Sequence, residues 1–156
     1  MQKIRWAELH QRLLERLREQ FSKTKPFAGL TIGMCLHVEP KTAVLCFVLQ
    51  AGGAKVVITG SPGTTKNDVA AALKHAGVIV YGQQEDDSSR HQENIRQVLS
   101  HAPHLFLDNG ADLIANYLAH PGGGRVIAST EETTTGANRL RGELRGALTL
   151  PIHRDQ

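Results

Sequence analysis

Four short clusters in this sequence hold side chains that can move protons or hold a sugar. His37-Val38-Glu39-Pro40-Lys41-Thr42 sets an imidazole two residues before a carboxylate and four before an ammonium. Gly60-Ser61-Pro62-Gly63-Thr64-Thr65-Lys66-Asn67-Asp68 is rich in hydroxyls. Asp108-Asn109-Gly110-Ala111-Asp112 and Ser129-Thr130-Glu131-Glu132-Thr133-Thr134-Thr135-Gly136 add carboxylates, an amide and three consecutive threonines. A histidine is suited to proton transfer near neutral pH. Carboxylates, amides and hydroxyls are the partners a polyhydroxylated ligand needs.

Each cluster also has a plain structural use. Asp108-Asn109-Gly110 is a tight-turn signal, and Ser129 with Glu132 fits a capping box. A lone His37 is more often a hydrogen-bonded packing residue than a catalytic one. The threonine run is harder to dismiss, because it lowers helix propensity without structural gain. His101 and His104 have no partners at zinc-site spacing, so no metal is expected. What favours a site is the position of all four clusters, each at the end of a predicted strand.

The elements that place them there follow from alternating apolar runs and helical segments. Strands are expected at Leu30–Leu36, Lys55–Thr59, Val78–Tyr81, Leu105–Leu107 and Arg125–Ala128, with a sixth at Leu148–Ile152. Helices are expected at Pro40–Ala51, Asp68–His75, Ser88–Ser100, Ala111–Leu118 and from Glu131 to Arg145. This alternation predicts an α/β fold, a mostly parallel sheet with helices on both faces in three layers. Ligands of open α/β sheets bind at the carboxyl ends of the strands. Pro121-Gly122-Gly123-Gly124 precedes a strand and reads as a turn rather than a phosphate cradle, and no G-x-G-x-x-G occurs.

A length of 156 residues, 40% hydrophobic and 21% charged, predicts one globular domain over 1–156. It leaves no room for a dinucleotide domain beside a substrate domain. Residues 1–25 read as a basic amphipathic helix, with Trp6, Leu9, Leu13, Leu14, Leu17 and Phe21 on one stripe. Arg5, Arg12 and Arg16 lie opposite, as a solvated face; with no RNA-binding motif, a nucleic-acid partner is not expected. Two cysteines without metal spacing suggest a reducing compartment. No run approaches the ~20 apolar residues of a membrane span, so the expected location is cytoplasmic, with no membrane partner.

Several of these segments carry a family resemblance. Cys35-Leu36-His37-Val38-Glu39-Pro40-Lys41-Thr42-Ala43-Val44-Leu45 resembles the substrate-loop motif of adenosylhomocysteinases, or S-adenosylhomocysteine hydrolases. Asp68-Val69-Ala70-Ala71-Ala72-Leu73 is similar to the family's next helix. Asp108-Asn109-Gly110-Ala111-Asp112-Leu113 resembles its aspartate-glycine motif, and Glu131-Glu132-Thr133-Thr134-Thr135-Gly136 with Arg139-Leu140 its most distinctive signature. Trp6-Ala7-Glu8 and the basic first helix are closest in style to archaeal and thermophilic members. The resemblance runs from Ile4 to Ile152.

The resemblance implies the fold of the family's substrate-binding domain, first portion only, with the NAD-binding domain and the family's catalytic asparagine, lysine and aspartate outside these residues. Site roles carry over by position. His37, Glu132 and Asn109 take the catalytic positions, and Glu39, Lys41, Thr64, Thr65, Asp108 and Thr133 the substrate-binding ones. Asn109 stands where the family has a catalytic aspartate, and an amide cannot take a proton at neutral pH. Lys41 can only donate, which favours a purine carrying a carbonyl at position 6.

The function expected is binding of S-adenosylhomocysteine or a related purine nucleoside thioether without NAD-dependent hydrolysis. No cofactor is expected on this chain alone, NAD entering only with a partner chain that supplies its domain. Two alternatives stand beside it: one subunit of a split adenosylhomocysteinase, or a structural or regulatory subunit without ligand. Any chemistry would be that of a hydrolase or lyase on a nucleoside thioether. Apolar surface left uncovered predicts a homo-oligomer.

Overall fold

Short β-branched runs, apolar on both sides, build a six-stranded sheet in which every strand is parallel to its neighbours. The computed structural model describes residues 2–120, 126–147 and 151–154. Its strands are β1 (Thr31–Cys35), β2 (Lys55–Thr59), β3 (Ile79–Tyr81), β4 (Leu105–Asp108), β5 (Ala128–Glu131) and β6 (Ile152–Arg154). Its helices are α1 (Gln2–His10), α2 (Arg12–Thr24), α3 (Pro40–Ala51), α4 (Asn67–His75), α5 (Ser88–Ser100), α6 (Asp112–Ala119) and α7 (Thr134–Arg141), with a 3-10 turn at Arg145–Ala147. The expected three-layer α/β arrangement is present, and the sheet is parallel throughout rather than mostly so.

Strand order β3-β2-β1-β4-β5-β6 places the reversal of winding between β1 and β4. The chain leaves β1 into α3, whose Ala43, Val44, Cys46 and Leu49 pack on one face with Val69, Ala70 and Leu73 of α4. It leaves β4 into α6, whose Leu113 and Ile114 pack on the other face with Ile95, Val98 of α5 and Leu140 of α7. The two connections diverge, and a crevice opens at the carboxyl ends of β1 and β4. Register brings Tyr81, Thr59, Cys35, Asp108, Glu131 and Arg154 into one row across the sheet at that edge.

Three expectations change. The segment 1–25 is two helices, not one, because Gln11 leaves helical geometry at φ −108°, ψ 59°. The break puts Ile4 and Ala7 into the core and leaves Trp6 64% and Leu13 72% exposed, so the single apolar stripe does not hold. β5 lies three residues later than Arg125–Ala128. Its polar Ser129, Thr130 and Glu131 are strand because they pair with β4 on one side and β6 on the other, which apolar patterning does not report. The helix expected from Glu131 to Arg145 is correspondingly short: Thr133 Oγ1 caps it by accepting from Gly136 N, and it stops at Gly142. Ser129 therefore sits inside β5 and forms no capping box. Arg125, Gly122 to Gly124 and the segment 148–150 lie outside the described residues. Among the described residues no helix is long and apolar enough to cross a membrane.

Close packing of β1 against α5 depends on one glycine. A Cβ on Gly33 would meet Pro103 Cγ at 2.8 Å and Val98 Cγ1 at 3.1 Å. Gly33→Ala is expected to cost about 1–3 kcal/mol of stability through overpacking, read as a lowered urea midpoint; an unchanged midpoint would mean that the α5 turn yields.

Candidate functional site

The crevice between β1 and β4 holds a groove of about 360 Å³, within the range of small-ligand sites. Leu36 and Leu107 come from the strand ends, Glu39, Lys41, Thr42 and Leu45 from α3, and Thr130 and Glu132 from the β5 end. Gln11 and Leu14 of the α2 segment close one side, and Asp108 contributes at the β4 end. Polar groups thus enter the groove from three sides, Gln11 before α2, the α3 turn and the β4–β5 ends, with leucines between them.

On the α3 side, Lys41 Nζ lies 3.2 Å from Glu39 Oε1; the ammonium is 71% exposed and the carboxylate 35%. Glu39 is the N-cap residue of α3 but makes no side-chain cap bond, and Pro40 follows at the first helical position. With no backbone N–H of α3 bound to it, the Glu39 carboxylate is left to Lys41 and the groove. The same turn bears on dinucleotide binding. In sheets of this order a pyrophosphate approaches the β1 turn over glycines at a helix N-terminus. Here the turn His37-Val38-Glu39-Pro40 has no glycine and presents a carboxylate, so it does not fit a pyrophosphate.

On the other side, Asn109 Nδ2 donates to Glu132 Oε2 at 3.4 Å. Both side chains are reachable from solvent, and Glu132 is exposed. The Glu132 backbone N–H donates to Asp108 O at 3.0 Å, which joins the β4 and β5 ends directly below them.

Not every side chain singled out in the sequence is left open to a ligand. The Asp108 carboxylate is buried and accepts backbone N–H bonds, from Asn109 at 3.0 Å and Ile114 at 2.8 Å, so it caps the α6 turn. Burial first, and then the neighbouring Glu131 charge, push its carboxyl up to about 7 against the pull of those N–H groups. The Thr133 hydroxyl is already engaged with Glu131, Gly110 and Gly136. Thr64 Oγ1 donates to Ser61 O at 2.8 Å, and Thr65 is buried with its hydroxyl against Gly60, both at the β2 loop and outside the groove. His37 is exposed immediately after Leu36 and makes no side-chain hydrogen bond among the described residues. His101 and His104 serve the opposite edge: His101 Nδ1 lies 3.2 Å from Lys55 Nζ at the start of β2, and His104 Nδ1 accepts from Thr31 N at 3.0 Å at the start of β1.

Sequence reasoning did not single out Glu131. It is 1% exposed, pairs in register with Asp108, and takes N–H donors from the loops on either side. Its signal was the doubled glutamate, since adjacent residues at a strand end face opposite ways. Gln11 and Leu14 were also missed as groove residues; their place depends on the break between α1 and α2. Cys35 and Cys46 are buried free thiols, and burial, followed by the charges of Asp108, Asp112 and Glu131, raises the Cys35 thiol well above its usual range.

The model of the S-adenosyl-L-homocysteine hydrolase family matches residues 1–125. The chain belongs to this family. It is 46% identical to an S-inosyl-L-homocysteine hydrolase of Methanothermobacter thermautotrophicus, over 96% of this chain and 37% of that protein. A protein of the same description from Methanopyrus kandleri is 48% identical, over 96% of this chain and 36% of its own length. An adenosylhomocysteinase of Archaeoglobus fulgidus is 44% identical, over 96% of this chain and 38% of that protein. The chain thus spans little more than a third of the length of these relatives. The family match covers α1 to α6 and the motifs of the first three clusters, and the relatives extend it across most of the chain.

Proposed function

We propose that this chain binds S-inosyl-L-homocysteine, S-adenosyl-L-homocysteine or a related purine nucleoside thioether in the β1–β4 groove. One observation carries the reading: the groove is lined by a Glu39–Lys41 pair on the α3 side and by Glu132, which Asn109 contacts from beside the groove, on the other. The purine faces Glu39 and Lys41, and the ribose hydroxyls face Glu132. Glu39 accepts from adenine N6 or hypoxanthine N1–H, whereas Lys41 donates to a 6-carbonyl. The inosyl compound is therefore the preferred ligand, in keeping with the names of two of the relatives above.

NAD-dependent hydrolysis is not part of this reading. Asn109 cannot act as a base, and the β1 turn does not fit a pyrophosphate. His37 would be the proton shuttle of any NAD-independent chemistry. A separate chain supplying an NAD domain is a second reading. It predicts turnover only when such a chain and NAD are both present.

The test is a calorimetric titration with S-inosylhomocysteine, S-adenosylhomocysteine, inosine and adenosine, without NAD. Low-micromolar binding is expected, weakened by about 2 kcal/mol, roughly 30-fold, in Glu132→Ala through loss of a charged hydrogen-bond partner. Equal affinity for the two purines would remove the role given to Lys41. No heat and no thermal stabilisation at high ligand excess would defeat the binding reading altogether.

A further inference from the structure

The peptide of Gly110 is held at both ends. Its N–H donates to Glu131 Oε1 at 3.0 Å and to Thr133 Oγ1 at 3.2 Å, and its carbonyl accepts from Arg139 Nη1 at 3.1 Å. The next N–H, of Ala111, donates to Glu131 Oε2 at 2.9 Å. Gly110 and Ala111 both have positive φ, 82° and 60°. Successive N–H groups in such a turn form a concave nest for an anion, and the Glu131 carboxylate is the anion that fills it. The left-handed conformation is unfavourable for alanine, and the bonds that Gly110 N–H and Ala111 N–H make to the carboxylate offset it here.

Glu131 is tied on its own side as well. Oε1 accepts from Thr133 N at 2.8 Å and Thr133 Oγ1 at 2.7 Å. Gly136 leaves it room: a Cβ there would come within 2.3 Å of the carboxyl carbon. Arg139 completes the clamp by binding Asp112 Oδ1 at 2.7 Å, while His91 Nε2 lies 3.2 Å from the other oxygen of Asp112.

Asn109 precedes the nest and Glu132 follows the residue that fills it. Their own contact, at 3.4 Å, is too long to fix either side chain. Resting on the binding function proposed above, we infer that Glu131 is a positioning residue, which fills the Gly110–Ala111 nest and thereby sets Asn109 against Glu132 at the ribose end of the groove. It touches no ligand. It acts on affinity through the loop after β4, whose displacement takes Asn109 and Glu132 out of their common geometry and weakens any hydrogen bond they offer a ribose hydroxyl.

The experiment compares wild type, Glu131→Gln, Glu131→Ala, Gly136→Ala and the Glu131→Ala/Gly136→Ala pair. Each is titrated with S-inosylhomocysteine at a temperature where circular dichroism reports it folded. Glu131→Gln keeps the size but gives the nest only one acceptor oxygen, and should weaken binding roughly tenfold or more. Gly136→Ala should weaken it comparably in the wild-type background, since its methyl displaces the carboxylate. It should have little effect in Glu131→Ala, where nothing is left to displace; such non-additivity marks direct coupling. A purely structural Glu131 would lower the unfolding midpoint and leave affinity unchanged in every folded variant, which would overturn the inference.

Amide hydrogen exchange of Gly110 and Ala111, followed by NMR without ligand, gives an independent arm. Both amides should exchange faster in Glu131→Gln than in wild type, along with a shifted Asn109 side-chain resonance; unchanged protection and an unmoved resonance would overturn the clamp. If wild type binds no nucleoside, the binding reading fails, and this arm decides the positioning by itself.

Discussion

The protein should lose stability as pH rises from about 4 to about 7, by at most about 4 kcal/mol, because of one buried carboxyl group. Asp108 is 1% exposed, and burial, with the Glu131 charge beside it, raises it from 3.8 to about 7. The native state therefore holds a proton that the unfolded chain releases near its ordinary carboxylate pKa. That contribution is fully present below the unfolded value and is gone once pH has passed the folded one. Urea unfolding at pH 5, 6, 7 and 8 reads it directly. Asp112 works in the opposite sense, since His91 first and Arg139 beside it hold its carboxyl below the usual range. Its effect falls at more acidic pH, where stability is lost as pH drops.

Asp108→Asn isolates the effect. The amide supplies one acceptor where the carboxyl group supplies two, so the N–H of Ile114 or of Asn109 loses its partner, at about 1–3 kcal/mol. The variant should be less stable than wild type at pH 5 and draw level with it, or pass it, at pH 8. A wild-type-minus-variant difference that stays flat across that range would mean that Asp108 ionises like an exposed carboxylate. The same titration bears on the site, because Asp108 lies at the β4 end of the groove and its carbonyl anchors Glu132.

Apolar patterning was enough to locate α3 and β2 to the residue, and the polar helix expected at roughly Ser88–Ser100 is α5, which buries His91 and Asn94 beside Ile95 and Val98. It failed at β5, where Ser129, Thr130 and Glu131 are strand by virtue of two neighbouring strands, and at the α1–α2 break, where tertiary packing overrides a continuous helical stripe. The first failure also hid Glu131, placing it at a helix start rather than in a buried row beside Asp108. Residue types marked the loops that converge but not which of their groups remain open. Asp108 and Thr133 carry the right chemistry for a ligand and give it to backbone amides instead. Lys41 can be read from the sequence as a purine donor or as a solvated cation; the structure pairs it with Glu39 at the groove and leaves its ammonium largely exposed.

Phe106→Ala should be the most damaging single truncation on the face of the sheet away from the groove. Phe106 is 1% exposed and packs edge-on against Tyr117 of α6, ring centroids 5.4 Å apart. Removing such a side chain costs about 3–5 kcal/mol, a large part of a typical domain's 5–15 kcal/mol. The unfolding midpoint should fall by roughly 10 °C for a chain of this size. Should that variant prove too unstable to purify, Phe106→Leu tests the same cavity at lower cost. Affinity is the more telling readout. Leu105 and Leu107 face the α2–α3 side, whereas Phe106 faces α6, so the cavity opens behind the sheet and leaves the groove walls in place. At low temperature, with the variant folded, S-inosylhomocysteine should bind as tightly as to wild type. Weakened binding in a folded Phe106 variant would mean that α6 packing reaches the 109–111 loop, and that the clamp on Gly110 does not insulate the site from the core beneath it.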